Sequence, residues 1–247
     1  MIPKRSALQH AASRISRPAA AVAFFIALAV PIVGPALQDA TGSATAPAET
    51  AAALASAARP ATRLASTEKS PATLADLPAQ AQASVHAALG RDRASYHAEA
   101  LDEGFRLVNP AHRLEARFNK DGAVLQVGTL HWNLRLIALG YGETLTELPA
   151  RLPQAQANRV EYAHDSLIEW YVNGPLGLEQ GFTLATPPTG EKAGALTLAL
   201  ELPHDLSFTL DEKGRGLRLT GTDGATLAYR GLTAFDARGR ELPAWLE

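Results

Sequence analysis

The sequence predicts an all-β fold: a mostly antiparallel β-sandwich over residues 91–247, preceded by a signal peptide, a disordered tether and one short helix. Three observations carry this expectation. Beyond residue 95 apolar side chains alternate with polar ones, the period of half-buried strands. Turn chemistry recurs every ~8–12 residues, the spacing of a sandwich or barrel rather than of βαβ units. All three Trp (Trp132, Trp170, Trp245) and all five Tyr lie after residue 95, so the bulky groups that offset ordering entropy sit there.

The amino terminus reads as an export signal over residues 1–36. Lys4, Arg5, Arg14 and Arg17 precede an apolar run from Ala19 to Leu37, and Gly34-Pro35-Ala36 supplies small residues for a cleavage site. The rival reading is an uncleaved anchor, because the run approaches the ~20 residues that span a bilayer. Pro31 and Pro35 disturb its second half. The expected location is extracellular or at the cell surface, with the periplasm as the alternative, and membrane contact arises only through an uncleaved N-terminal segment.

Residues 37–73 form the tether, rich in Ala, Thr, Ser and Pro and interrupted by Pro47, Pro60 and Pro71. A short helix is expected over 74–90. Asp76 can cap it, Pro78 suits its first turn and Gly90 its stop, while Leu77, Val85 and Leu89 form a thin apolar stripe.

Strand patterns follow. Trp132, Leu134, Leu136 and Ala138 share one side of a strand, as do Leu196, Leu198, Leu200 and Leu202, and Leu206, Phe208 and Leu210. Turns are expected at Asn119–Gly122, Asp211–Gly214, Thr222–Gly224 and Asp236–Gly239, where Asp or Asn closes a local loop and Gly takes the left-handed position. Roughly ten to thirteen strands result, with no helix of 10 residues after residue 95.

Composition removes several functional classes. The net charge of −2 offers no electrostatic footprint for nucleic acid. With no cysteine there is no disulfide, thiolate metal site or Cys nucleophile. The seven histidines (His10, His86, His97, His112, His131, His164, His204) show no H-E-x-x-H or H-x-H spacing. The phosphate-loop, dinucleotide and G-x-S-x-G patterns are absent, and the acidic turns lack the ligand spacing of a calcium loop. No cofactor, metal ligand or catalytic residue is assigned.

The residues singled out as a candidate ligand site are Tyr171, Glu169 and Glu179, with Glu161 as a further carboxylate. A glycosidase needs two carboxylates within reach of one sugar. If the strands carrying Glu169 and Glu179 form a hairpin with an even loop, opposed residue numbers sum to an odd value. The two Glu then fall on opposite faces; an odd loop reverses this. Trp132, Trp170, Tyr171 and Trp245 could stack on sugar. The packing reading places Trp132, and Trp170 with Ile168 and Val172, between the sheets, leaving Tyr171 beside Leu167 and Glu169 to cap a groove. In NGPLGLEQG (173–181) the glycines allow a tight connection and close approach of another backbone, or form a recognition loop.

Residues 161–184, EYAHDSLIEWYVNGPLGLEQGFTL, resemble the amino-terminal β-sandwich module of large secreted bacterial cell-surface proteins bearing FG-GAP-type β-propeller or other β-repeats. Residues 96–118 are similar to that module's opening, 132–142 to its middle and 227–247 to its closing hairpin. The likeness covers roughly residues 75–247. It implies a β-sandwich at the head of an exported protein, with neighbouring β-repeat domains or surface proteins as partners, and it carries over no catalytic residue. In that family further strands usually follow the position of Glu247, so a short version or a truncated reading frame is expected here. The function expected is a non-catalytic scaffold or docking domain, and the alternative is a carbohydrate-binding or carbohydrate-processing sandwich.

Overall fold

The computed structural model of the protein describes residues 10–15, 22–28, 74, 77–189, 193–202 and 206–247, the first two segments by their backbone alone. The expected tether (37–73) and the capping residue Asp76 lie outside the described residues. The fold is an all-β sandwich in which every strand pairing is antiparallel.

The first sheet contains β1 (His10–Ile15), β3 (Glu99–Leu101), β4 (Gly104–Asn109), β5 (Leu114–Asn119), β6 (Gly122–Val127), β7 (Leu130–Tyr141), β8 (Thr144–Glu147), β13 (Leu196–Glu201) and β18 (Ala244–Leu246). Its order is β18-β1-β13-β7-β6-β5-β4-β3, with β8 also on β7. The second contains β2 (Val22–Leu28), β9 (Gln154–Gln156), β10 (Arg159–Ala163), β11 (Leu167–Gly174), β12 (Gly177–Leu184), β14 (Ser207–Leu210), β15 (Gly216–Thr220), β16 (Thr226–Asp236) and β17 (Glu241–Leu242). Its order is β14-β15-β16-β2-β12-β11-β10-β9, with β17 also on β16. Sixteen of these strands follow residue 90, more than the sequence pattern predicts, because pieces of two or three residues such as β9 and β17 are too short to show a period.

Alternation places the core. Trp132, Leu134 and Leu136 of β7 are buried between the sheets, as expected, together with Leu130; Leu136 lies opposite Leu200 of β13, and Leu134, Trp132 and Leu130 lie opposite Ala123, Leu125 and Val127 of β6. Past Leu136 the inward positions change to Leu139 and Tyr141. The register with β13 shifts there, since Leu200 pairs with Leu136 while Ala199 pairs with Ala138. The unpaired Ile137 is a β-bulge, and one extra residue moves the rest of the strand to the other parity. The same device splits β16, whose inward residues pass from Leu227 and Tyr229 to Leu232 and Ala234 across Gly231 at φ 82°.

The expected turns form. Oδ1 of Asn119 accepts from the Asp121 N–H at 2.8 Å, and Oδ1 of Asp211, Asp223 and Asp236 each accept from the backbone N–H two residues on. Phe208 and Leu210, read as a strand face, lie on the edge strand β14 and remain 38% and 37% exposed.

The helix α1 (Ala79–Arg91) departs from its sequence reading. Leu77, Val85 and Leu89 each stay nearly 40% exposed, so the apolar stripe is not the packed face. His86 and Gly90 are the buried positions. Gly90 does not stop the helix, which continues to Arg91. A Cβ at Gly90 would meet the Asn173 carbonyl oxygen at 2.1 Å and Asn158 Nδ2 at 2.3 Å. Ala at this site improves helix propensity by up to ~1 kcal/mol, but the clash is with backbone and cannot be relieved by a rotamer. Gly90→Ala is therefore expected to cost about 1–3 kcal/mol overall. The check is a denaturant titration with hydrogen exchange read at α1; a neutral or stabilised variant refutes the close approach.

Candidate functional site

The hairpin β11–β12 carries all three candidate residues. Its loop is Pro175-Leu176, and opposed residues run from Leu167↔Leu184 to Gly174↔Gly177. The loop is even, so Glu169 and Glu179 occupy opposite faces of the sheet. Glu169 pairs with Phe182 and faces the core; Glu179 pairs with Val172 on the outer face.

The inward set on β11 is Leu167, Glu169, Tyr171 and Asn173. This corrects the expected side for two aromatics. Tyr171 is fully buried between the sheets, with its ring 4.9 Å from Phe118 and 6.3 Å from Tyr162, and caps no groove. Trp170 lies on the outer face under Arg159, whose guanidinium is 4.5 Å from its ring, and Ile168 on that face is exposed. Trp132 is in the core as expected, edge-on to Tyr229 at 5.4 Å.

Glu169 is held by a buried network. Its Oε1 accepts from Tyr171 Oη at 2.7 Å and from Gln180 Nε2 at 2.8 Å. Tyr229 Oη donates to Gln180 Oε1 at 2.7 Å, joining β16 to β12. Burial pushes the Glu169 carboxyl up to about 7, against the lowering effect of the Tyr171 and Gln180 hydrogen bonds. The same burial, reinforced by Glu169, holds the Tyr171 hydroxyl well above its ordinary range. Next to Glu169, a cavity of about 20 Å³ is bounded by Tyr162, His164 and Arg135. That is room for one water. A pocket for a small-molecule ligand is at least ten times larger.

Glu179 belongs to a different place. With His86 and Thr233 it lines a cavity of about 210 Å³ between α1 and the ends of β12 and β16. Burial raises its carboxyl to about 7, and Arg159 acts in the opposite sense. His86 Nδ1 accepts from the Leu176 N–H at 3.2 Å, and its Nε2–H points at the Val172 carbonyl at 3.4 Å. Both ring nitrogens are used by backbone, which suits a neutral imidazole. Burial accordingly lowers its pKa, opposed by the Val172 carbonyl and assisted by His112. Glu161, the remaining carboxylate, pairs with Arg159 on the outer face.

No protein-family model, curated protein or solved structure matches the chain.

Among the described residues no three His, Asp or Glu side chains converge to hold a metal, and no helix is long and apolar enough to cross a membrane.

One polar cluster was not anticipated. Asn173, fully buried, donates from Nδ2 to the carbonyls of Val108 (2.9 Å) and Tyr96 (3.2 Å), and accepts at Oδ1 from Asn109 (2.9 Å). Asn158 Nδ2 donates to the carbonyls of Asn173 (2.7 Å) and Ala87 (3.2 Å). Gly174 lets α1 come close, because a Cβ there would lie 2.7 Å from the His86 carbonyl oxygen. This supports the structural reading of NGPLGLEQG as a tight connection admitting another backbone. The three Asn and His86 close one end of the sandwich with α1. The sequence carried no usable signal for it: with Ile168, Trp170 and Val172 read as inward, Asn173 falls on the outer parity, and only the observed inward series 167, 169, 171 puts its amide where it must be partnered.

Proposed function

We propose that the protein is an exported, non-catalytic β-sandwich module that docks β-rich partner domains. The single observation that carries this reading is the split of Glu169 and Glu179 to opposite faces of one hairpin, with Tyr171 buried under Glu169. Glu169 and Tyr171 serve the packed interior, while Glu179 stands apart from them on the outer face under α1. What the surface offers is strand edge. Among the described residues β14 ends its sheet with no strand on its outer edge, and Phe208 and Leu210 on it are partly exposed. Such an edge is a template for pairing with another strand.

Fractionation of a bacterium expressing the C-terminally tagged full chain tests the export half. The product is expected outside the cytoplasm with its amino terminus shortened to near residue 37. A full-length cytoplasmic product overturns it. A panel of soluble polysaccharides tests the other half, with no saturable binding or hydrolysis expected. Binding that Tyr171→Phe or Glu179→Gln abolishes, without loss of fold, would favour a carbohydrate site instead.

A further inference from the structure

In the second sheet β2 stands between β12 and β16 and joins two separate meanders, β9–β12 and β14–β17. All seven of its residues pair with β12, from Val22↔Leu184 to Leu28↔Leu178. On its other side it pairs with β16, from Val22↔Asp236 to Ala27↔Arg230. It is antiparallel to both, so β12 and β16 run in the same direction. They cannot close on each other without moving a whole meander by about 4.8 Å, one strand spacing, and exchanging antiparallel ladders for a parallel one. Emptied, the space between them is a slot with two unpaired backbone edges.

The slot has a side-chain code. Directly opposed residues share a face of a sheet. The β12 residues Leu178, Phe182 and Leu184 belong to the core, and Gln180 between them is buried in the Glu169 network. The positions opposite these four carry Leu28, Phe24, Val22 and Ile26. The occupant is thus apolar at four alternate positions. On the other face Ala27, Phe25 and Ala23 stand opposite Glu179, Gly181 and Thr183, the one large residue against the one glycine. The slot's walls are also braced without it, because the Tyr229–Gln180 hydrogen bond spans from β16 to β12. Leu178, which pairs with Leu28, also lines the cavity of about 210 Å³ beside His86 and Glu179.

The same seven residues lie in the apolar run of the export signal. A strand that fills a central position in the sheet is also the segment an export protease would remove. We infer that the slot between β12 and β16 is a strand-acceptor site, occupied by Val22–Leu28 until that segment leaves and then by an apolar strand donated by a neighbouring β-domain. The inference rests on the exported-module reading for the departure of residues 22–28; acceptance of a strand rests on the register alone.

The test uses the full chain, which has no native cysteine. Ala23→Cys combined with Thr183→Cys puts two thiols at directly opposed positions. Mild oxidation is expected to join them, and failure to cross-link overturns occupancy by β2. The probe is a fluorescein-labelled peptide of residues 22–28 flanked by lysines. The reduced chain is expected to take it up slowly with 1:1 stoichiometry, and the oxidised, locked chain to refuse it. A peptide with Ser at the positions of Phe24, Ile26 and Leu28 should bind at least about tenfold more weakly. Equal uptake by locked and reduced chains, no uptake by either, or equal affinity for the two peptides overturns the proposal. Ile26→Pro, which disrupts β2, should accelerate uptake in a chain that still melts cooperatively. Strand uptake by a protein found uncleaved in the cytoplasm would leave the slot standing and sink the export reading. An exported, cleaved protein that refuses the peptide would do the reverse.

Discussion

Asn173→Asp is expected to destabilise the protein by about 3–5 kcal/mol at pH 7.5, although the two side chains have the same shape. Asn173 uses its amide nitrogen to donate to the carbonyls of Val108 and Tyr96, in a site fully closed to solvent. A carboxylate there presents oxygen to two carbonyl oxygens and carries an unpaired charge into the interior. Asn109 still donates to its other oxygen, which offsets only part of the loss. Burial raises the introduced carboxyl above the ~3.9 of an unfolded Asp. A raised acid pKa means the folded state holds the proton longer than the unfolded one. The variant therefore loses stability as pH climbs from about 4 through the raised value. Urea titrations at pH 4.5 and 7.5 check this. A deficit that does not grow with pH, or one below ~1 kcal/mol at the higher pH, would show that the cluster is not a closed polar lock.

Glu169→Gln should do the opposite and stabilise the protein at alkaline pH. Folded, Glu169 titrates at about 7; its ordinary value is 4.5. Between these values the folded protein keeps a proton that the unfolded chain has released, so wild-type stability falls as pH rises from about 4.5 to about 7. Above that window the full difference, roughly 3 kcal/mol, is lost. Gln keeps a carbonyl oxygen to accept from Tyr171 and Gln180 but never ionises. The variant's advantage should be near zero at pH 4.5 and approach a few kcal/mol at pH 8. Glu179 and His86 also titrate with shifted pKa values, but both are unchanged in the variant and drop out of the comparison. The measurement is the difference between the two stability–pH curves. A Glu169→Gln protein less stable than wild type at pH 8 would falsify the account of Glu169 as a buried structural carboxyl.

The two predictions bear on function as well as stability. Both treat polar groups in the sandwich as structural, and both fail in a recognisable way if those groups serve a ligand. A Glu169 that ionises freely, or an Asn173 that tolerates Asp, would mean solvent or substrate reaches the interior.

Much of the fold was legible along the chain because strands write their burial in a period of two. Trp132, Leu134 and Leu136 announced the inward face of β7, and Leu196 to Leu202 that of β13. Turns were legible because Asn119, Asp211, Asp223 and Asp236 bind backbone within a few residues of themselves. The separation of Glu169 from Glu179 followed from loop parity once the loop proved to have two residues.

Other features depended on contacts between distant segments. In LIEWYVN the parity of Ile168, Trp170 and Val172 is wholly apolar while that of Leu167, Glu169, Tyr171 and Asn173 is half polar, so the pattern pointed Trp170 inward; pairing with β10 and the opposing sheet turned Tyr171 inward instead, with Glu169 and Asn173 hydrogen-bonded beside it. The bulge at Ile137 changes the inward parity of β7 without any Gly or Pro to mark it. Gly90 reads locally as a helix stop, yet it is there for the Asn173 backbone 83 positions away. The segment Val22–Leu28 is apolar at every position and shows no strand period, and it is the pairing with β12 on one side and β16 on the other that makes it a strand. What is periodic or local was written along the chain: strand class, turn positions and the apolar supply for one interior. Tertiary structure decided parity, helix docking and the occupant of the central slot, because each is set by which remote backbone arrives to satisfy a hydrogen bond or exclude a side chain.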